Sequence, residues 1–336
     1  MNNKTKINKI YGFIIKTTII VVAFWFIYRR LFVKDNLDET LRKFEDNFRE
    51  PHFIKIMLVV ALLMILNWGI ETFKWKFLIR KIENVNFFKA IVAVLSGITV
   101  SIFTPNRIGE YAGRVFILDR ADRWEGVLIT MLGSMSQLLI TLVAGSIGFI
   151  FFTYEYIDLS IDSEYLIYGL ILISAILIFT LISLFYNVSF LTRAINKLPG
   201  KLKKLRHYGK IFSDYSKWDL TIVMLLSLAR YIVFMTQFFL LLNLFEATIP
   251  YGEAIMMISM IYLVMAGIPT IALTELGIRG SVALYFIGLY FAAHNPAGQN
   301  DLGIFTASSV LWLINLAIPA LLGAIFIFEL KFFRKN

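Results

Sequence analysis

Cysteine is absent from the 336 residues, which excludes disulfides, thiol nucleophiles and iron–sulfur clusters. Histidine is scarce. His52, His207 and His294 are scattered over three expected loops, so no metal site is expected. Charged residues make up 17% of the chain, against about 25% in a soluble domain. No Walker loop is present, which excludes an ATP-driven pump, and there is no Gly-x-Gly-x-x-Gly or His-Glu-x-x-His motif. No catalytic constellation and no cofactor is therefore expected.

Apolar sequence is what the chain has in quantity. Hydrophobic residues reach 58%, mean hydropathy is +0.73, and apolar runs of membrane-spanning length recur. The fold class that follows is all-α, a polytopic integral membrane helical bundle. The net charge of +10 would suit nucleic acid, but the basic residues cluster in short loops between apolar runs, as membrane orientation requires. No nucleic-acid partner is expected. Lys4, Lys6 and Lys9 precede an apolar stretch from Ile10 to Tyr28. It is too long for the core of a signal peptide and ends in Arg29 and Arg30 with no cleavage site, so it reads as a retained helix.

The pattern predicts one transmembrane domain over residues 1–336 with six full spans, at about 10–30, 53–73, 124–153, 165–187, 218–245 and 303–328. Two further apolar regions, 86–118 and 254–293, are interrupted, and their halves are expected to be too short to span. Each reads as a re-entrant helix–break–helix segment, because irregular backbone survives at membrane depth only where protein or water buries it. Lysine and arginine set the orientation. Lys74, Lys76, Arg80, Lys81 and Lys89, the connection 188–217, and the C-terminus with Lys331, Arg334 and Lys335 are expected in the cytoplasm, with both termini, in the cell membrane. The acidic loop 154–164 is expected outside. Apolar stripes in 36–50 and 188–217 predict amphipathic helices lying in the headgroup region.

With this topology, the stretch 53–153 is matched in opposite orientation by 218–328, an inverted repeat with a broken element in each half. Each broken element carries the same charged pair: Glu110 with Arg114, five residues after Pro105, and Glu275 with Arg279, six residues after Pro269. Glu and Arg four apart share a helix face and can pair. An ionisable group at membrane depth costs roughly 2.5–3.5 kcal/mol on insertion scales, so these four face protein or water. Two readings stay open. The pairs brace broken helices, or the arginines engage an anionic headgroup, to which guanidinium is suited by its bidentate fork. On the second reading the substrate-binding set is Asn106, Arg107, Glu110, Arg114, Arg230, Thr274, Glu275 and Arg279. Pro105, Gly109, Pro269 and Gly277 are the gate or hinge positions. Arg230, central in an apolar span, pairs with a buried glutamate or touches substrate. Asn67, Gln137 and Asn315 read more simply as interhelical hydrogen bonding.

The segment Phe103-Thr104-Pro105-Asn106-Arg107-Ile108-Gly109-Glu110-Tyr111-Ala112-Gly113-Arg114 resembles the lysylphosphatidylglycerol synthase transmembrane region family, flippase-like membrane proteins with a Pro-x-x-x-Gly-Glu segment followed by Arg. Pro105, Gly109, Glu110 and Arg114 match it, and Pro269, Gly277 and Arg279 resemble the family's second segment. Many members carry Gly-x-Arg-Glu there. This chain has Gly277-Ile278-Arg279-Gly280, with its acid earlier at Glu275. The resemblance implies movement of a lipid with an anionic or amphiphilic headgroup between leaflets. In the bifunctional members a separate cytoplasmic domain makes the aminoacylated lipid. Residue 336 falls a few residues past the last expected span, so aminoacyl transfer by this chain is not expected. A membrane enzyme, or a membrane partner of a separately encoded lipid-modifying enzyme, is the alternative.

Overall fold

A computed structural model describes residues 50–102, 104–156, 161–187, 211–270 and 272–326. The expected first span at 10–30, the amphipathic stretch 36–49, most of the connection 188–217 and the C-terminal tail lie outside the described residues. Among the described residues there are helices and turns and no strand.

The helices are α1 Pro51–Ile79, α2 Phe87–Ile102, α3 Gly109–Val115, α4 Arg123–Tyr156, α5 Ile161–Tyr186, α6 Lys217–Leu244, α7 Tyr251–Gly267 and α8 Ala272–His294. The ninth, α9, is Asp301–Ile325, with a π-turn at Leu313–Ala317. Among the described residues, six helices are long and apolar enough to cross a membrane: α1, α4, α5, α6, α8 and α9. With α8 among them, the expectation that the second broken segment divides into two short halves is wrong. No proline follows Pro269 until Pro296, so nothing interrupts the 23 residues of α8. At 1.5 Å per residue they reach about 34 Å, more than the roughly 30 Å hydrocarbon core. The first broken segment does divide into short pieces, of 16 and 7 residues.

The outward faces of α1, α4 and α5 carry exposed Leu, Ile and Phe, among them Leu62, Phe151 and Phe179, as lipid contact requires. The buried apolar residues form two clusters. One gathers around Trp75, Val94, Leu118 and Ile129, the other around Phe238, Met257, Ile287 and Ile304. Buried polar and charged side chains from α1, α3, α6, α8 and α9 complete the interior.

Local rules place the hairpins. Helix α6 opens with a capping box, Ser216 and Asp219 exchanging hydrogen bonds. Arg80 and Lys81, just beyond α1, hold Asp219 at 3.3 Å each. Glu83, in the turn after α1, accepts the backbone N–H groups of Asp119, Arg120 and Ala121 at 3.1, 2.8 and 3.0 Å and pairs with Lys89 at 3.1 Å. The start of α2 and the chain leaving α3 thus meet at one end of the bundle. The α7–α8 hairpin has both its ends at the other, where Tyr156 of α4 donates to Glu253 of α7 and packs edge-on to His294 of α8.

Burial alone would raise the Glu83 carboxyl, but the N–H groups of Ala121, Arg120 and Asp119 and the Lys89 ammonium outweigh it and hold it at about 2. Its folded value lies below the ordinary 4.5, so its stabilisation is complete above about pH 5 and is lost as pH falls toward 2. Melting of the purified protein followed from pH 6 to pH 3 is expected to show a fall in midpoint that Glu83→Gln flattens. A variant with unchanged acid dependence would refute this anchor.

The two arms of the first hairpin touch through glycine. A Cβ on Gly113 would lie 2.6 Å from the Cα of Gly97, and one on Gly97 2.8 Å from the Arg114 Cγ. This approach leaves the Arg114 side chain room to pass Gly97 of α2.

Candidate functional site

Both breaks begin with the same local rule. The residue before a proline is driven to extended backbone, and Thr104 (φ −121°, ψ 138°) and Ile268 (φ −95°, ψ 115°) obey it. The first break then turns through Asn106 and Arg107, both left-handed at φ 53° and 56°. Two non-glycine residues in that region cost on the order of 1–3 kcal/mol each and persist only where their surroundings fix them. The second break supplies the fixing. The Asn106 N–H donates to the Thr270 carbonyl at 2.9 Å, and Arg107 Nη2 donates to both Glu275 carboxylate oxygens, at 3.0 and 2.7 Å. The tips of the two hairpins meet there. Thr104 Oγ1 accepts the Gly109 N–H at 2.8 Å, which starts α3.

Both four-apart pairs form, Arg114 with Glu110 and Arg279 with Glu275. The sequence reading did not anticipate that each belongs to a larger cluster. Glu275 takes Arg107 from the other hairpin as well as Arg279. Arg114 reaches past Glu110 to Glu71 of α1, at 2.7 Å. Glu71 in turn binds Arg230 of α6 and, at 3.0 Å, Lys74. One buried carboxylate thus gathers three cations from three helices. Arg230 does pair with a buried glutamate, but with Glu71 and not with either motif glutamate. Lys74 is not a loop residue. It is fully enclosed, with its ammonium also against the Gly133 carbonyl and Ser227 Oγ at 3.2 and 3.3 Å. α1 runs six residues beyond the span expected from hydropathy, which carried Lys74 inside.

A polar chain continues from Arg230. Its Nε donates to Asn67 Oδ1 at 2.9 Å, Asn67 to Asn315 at 3.3 Å, Asn315 to Gln237 at 3.1 Å, and Gln237 to the Val60 carbonyl at 2.9 Å. Asn315 sits in the π-turn of α9. These links fit the interhelical role expected of Asn67 and Asn315. Gln137 does the same, donating to the Ser227 carbonyl at 3.3 Å.

Two adjoining cavities open on the clusters, of about 620 and 350 Å³, within the range of small-molecule sites. The Arg107–Glu275 bridge lines both, as do Asn106, Gln137 and Arg279. The smaller one is also bounded by Glu71, Lys74, Glu110, Arg230, Trp68 and Trp312. The larger includes Pro269 and Thr270 of the second break. Arg114 stands behind Glu71 and Glu110. Thr274 and Gly277 lie in the first two turns of α8 beside Glu275, and Gly277 is within uninterrupted helix. Among the described residues, three N–H donors on cavity-lining residues are buried without a partner, Trp68 Nε1, Trp312 Nε1 and Arg279 Nε. Among the described residues no group of three or more His, Asp or Glu side chains is placed to hold a metal.

Glu71 and Lys74 carried the same signal as the motif pairs, ionisable groups three apart inside apolar sequence. The hydropathy edge at residue 73 hid it.

Comparison with known proteins fits this picture. Over 344 aligned residues the chain is 22% identical to the UPF0104 membrane protein MJ1595 of Methanocaldococcus jannaschii, covering 95% of this chain and 96% of that one. No solved structure matches. The profile of the lysylphosphatidylglycerol synthase TM region matches residues 13–323. A helical membrane bundle matched over nearly its whole length in this way belongs to the lysylphosphatidylglycerol synthase TM region family.

Proposed function

We propose that this protein is a lipid translocator, passing an anionic lipid headgroup between leaflets of the cell membrane through the two cavities at the hairpin tips. The observation that carries the reading is the Arg107–Glu275 bridge. It joins two hairpins rooted at opposite ends of the bundle and lines both cavities. In this reading the two hairpins enter from opposite faces as inverted repeats of each other, with α8 the one arm long enough to cross, an arrangement like that of transporters with midplane sites. Asn106, Arg107, Arg230, Thr274 and Arg279 contact the headgroup. Glu71, Glu110 and Glu275 orient the cations, and Arg114 is held behind them. The termini are cytoplasmic, by the distribution of lysine and arginine. The tips at Pro105 and Pro269 are the gates. The hydrocarbon tail stays in lipid beside the exposed apolar faces.

The test is a leaflet assay in proteoliposomes with labelled anionic phospholipids and polyprenyl phosphates. Wild-type protein is expected to move at least one of them. Arg107→Ala and Arg279→Ala, which each remove a proposed headgroup contact, are expected to slow it by at least about tenfold, the scale of one charged hydrogen bond. A missing lipid product in a deletion strain, with no transbilayer movement by wild type, would instead favour a membrane subunit of a lipid-modifying enzyme. Co-purification with a soluble transferase would identify that partner.

A further inference from the structure

The charges at the cavities do not cancel. Lys74, Arg114 and Arg230 surround Glu71 and Glu110, and Arg107 and Arg279 surround Glu275. Each cluster holds one more cation than carboxylates, so among the described residues the site carries an excess of two positive charges. Four of the five cations are arginines, which stay protonated in proteins. Two net charges at membrane depth are costly to leave uncompensated. The buried N–H groups of Trp68, Trp312 and Arg279 that lack a partner among the described residues add donors and no further charge. Gln137 Oε1 is the corresponding orphaned acceptor, so the unfilled hydrogen-bonding capacity of the walls is mostly for an acceptor.

From this balance we infer that the ligand is a dianion carrying several acceptor oxygens, a phosphate monoester at the head of a lipid. A phosphodiester lipid with one negative charge leaves half the excess unmet. An aminoacylated lipid with a net positive headgroup is repelled. The smaller cavity is lined by Arg230 of one cluster and by Arg107 and Arg279 of the other, so a phosphate there is open to cations of both. Guanidinium is suited to bidentate contact with such an anion.

The inference rests on the translocation reading for taking the anion from a lipid, but equilibrium binding tests it without any transport. Displacement of a fluorescent phosphatidic acid from the purified protein in detergent is measured with phosphatidic acid, polyprenyl phosphate, phosphatidylglycerol, lysylphosphatidylglycerol and inorganic phosphate. At pH 8 the two monoesters are expected to compete at least about tenfold better than phosphatidylglycerol. Lysylphosphatidylglycerol is expected to be weakest among the lipids. At pH 5 a phosphomonoester, with its second pKa near about 6, holds one charge, and the preference over phosphatidylglycerol is expected to fall to about twofold or less. The sign identifies the ligand as the titrating partner. Proton uptake by the protein's own groups at the site would increase the positive excess and strengthen anion binding as pH falls. Equal competition by phosphatidylglycerol at pH 8, or tighter binding of the lysyl lipid, would overturn the assignment. Displacement by inorganic phosphate as effective as by phosphatidic acid keeps the dianion and moves its source from lipid to soluble phosphate. Selective binding without leaflet movement keeps the assignment and removes translocation.

Discussion

Glu71→Gln is expected to be the most damaging single substitution in this protein. It leaves Arg114, Arg230 and Lys74 buried around a neutral amide, each without its contact to the Glu71 carboxylate. Arg114 would retain Glu110, Arg230 would retain Asn67, and Lys74 would keep only a carbonyl and a hydroxyl. Removing one partner of a buried ion pair costs about 3–5 kcal/mol, and here one carboxylate serves three cations. The expected result is a fall in the midpoint of thermal aggregation in detergent on the order of 10 °C, with low yield of monodisperse protein. Glu71→Asp, which keeps the charge, is expected to recover part of the loss. Glu110→Gln is expected to be mild by the same measure, because Arg114 still has Glu71. If Glu71→Gln melts within two or three degrees of wild type, about the shift of 1 kcal/mol, Glu71 is not the hub.

The second large effect concerns the hairpin tips. The chain contains no cysteine, so an introduced pair has no background. Asn106 and Thr270 are in backbone contact, and Asn106→Cys together with Thr270→Cys places one thiol on each tip. If the tips are gates, oxidation is expected to reduce leaflet movement at least about tenfold, and reductant to restore it, since disulfide geometry leaves the two backbones little freedom to part. Either single variant, oxidised, is expected to move lipid at its own unoxidised rate. Full movement in a protein shown by gel shift to be crosslinked would remove the tips as gates and leave them as structural bracing.

The two experiments separate the roles that the charged residues play. The Glu71 cluster ties α1, α3 and α6 together, and its loss is read in stability. The Glu275 cluster ties one hairpin to the other, and its constraint is read in movement. Arg107 belongs only to the second. Its side chain is well exposed, at 39%, whereas that of Arg114 is almost fully enclosed, at 3%. The difference makes Arg107 the cation most open to a ligand and Arg114 the one most committed to the frame.

Much of this was readable along the chain, because the rules that decided it act over a few residues. Pro105 and Pro269 lack an N–H and force the preceding residue out of the helix, so both breaks could be placed. Glu110 with Arg114 and Glu275 with Arg279 could be paired because residues four apart share a helix face. The membrane class followed from the hydrophobic share alone. The limits of local reasoning show at α1 and α8. Hydropathy ended the second span at residue 73 and put Lys74 in a loop, although a buried carboxylate three residues earlier keeps it inside. The second broken segment was read as two short halves, although only its first part is short.

The sequence by itself determined that the chain is a helical membrane bundle with two charged, proline-broken segments. The tertiary structure alone decided which distant charges meet. Arg107 finds Glu275 across 168 residues, Arg230 finds Glu71 across 159, and Asn67 finds Asn315 across 248. Such partners are chosen by how helices pack. A charge that cannot reach water must pair with whatever opposite charge the packing brings near it, and no local periodicity encodes that neighbour.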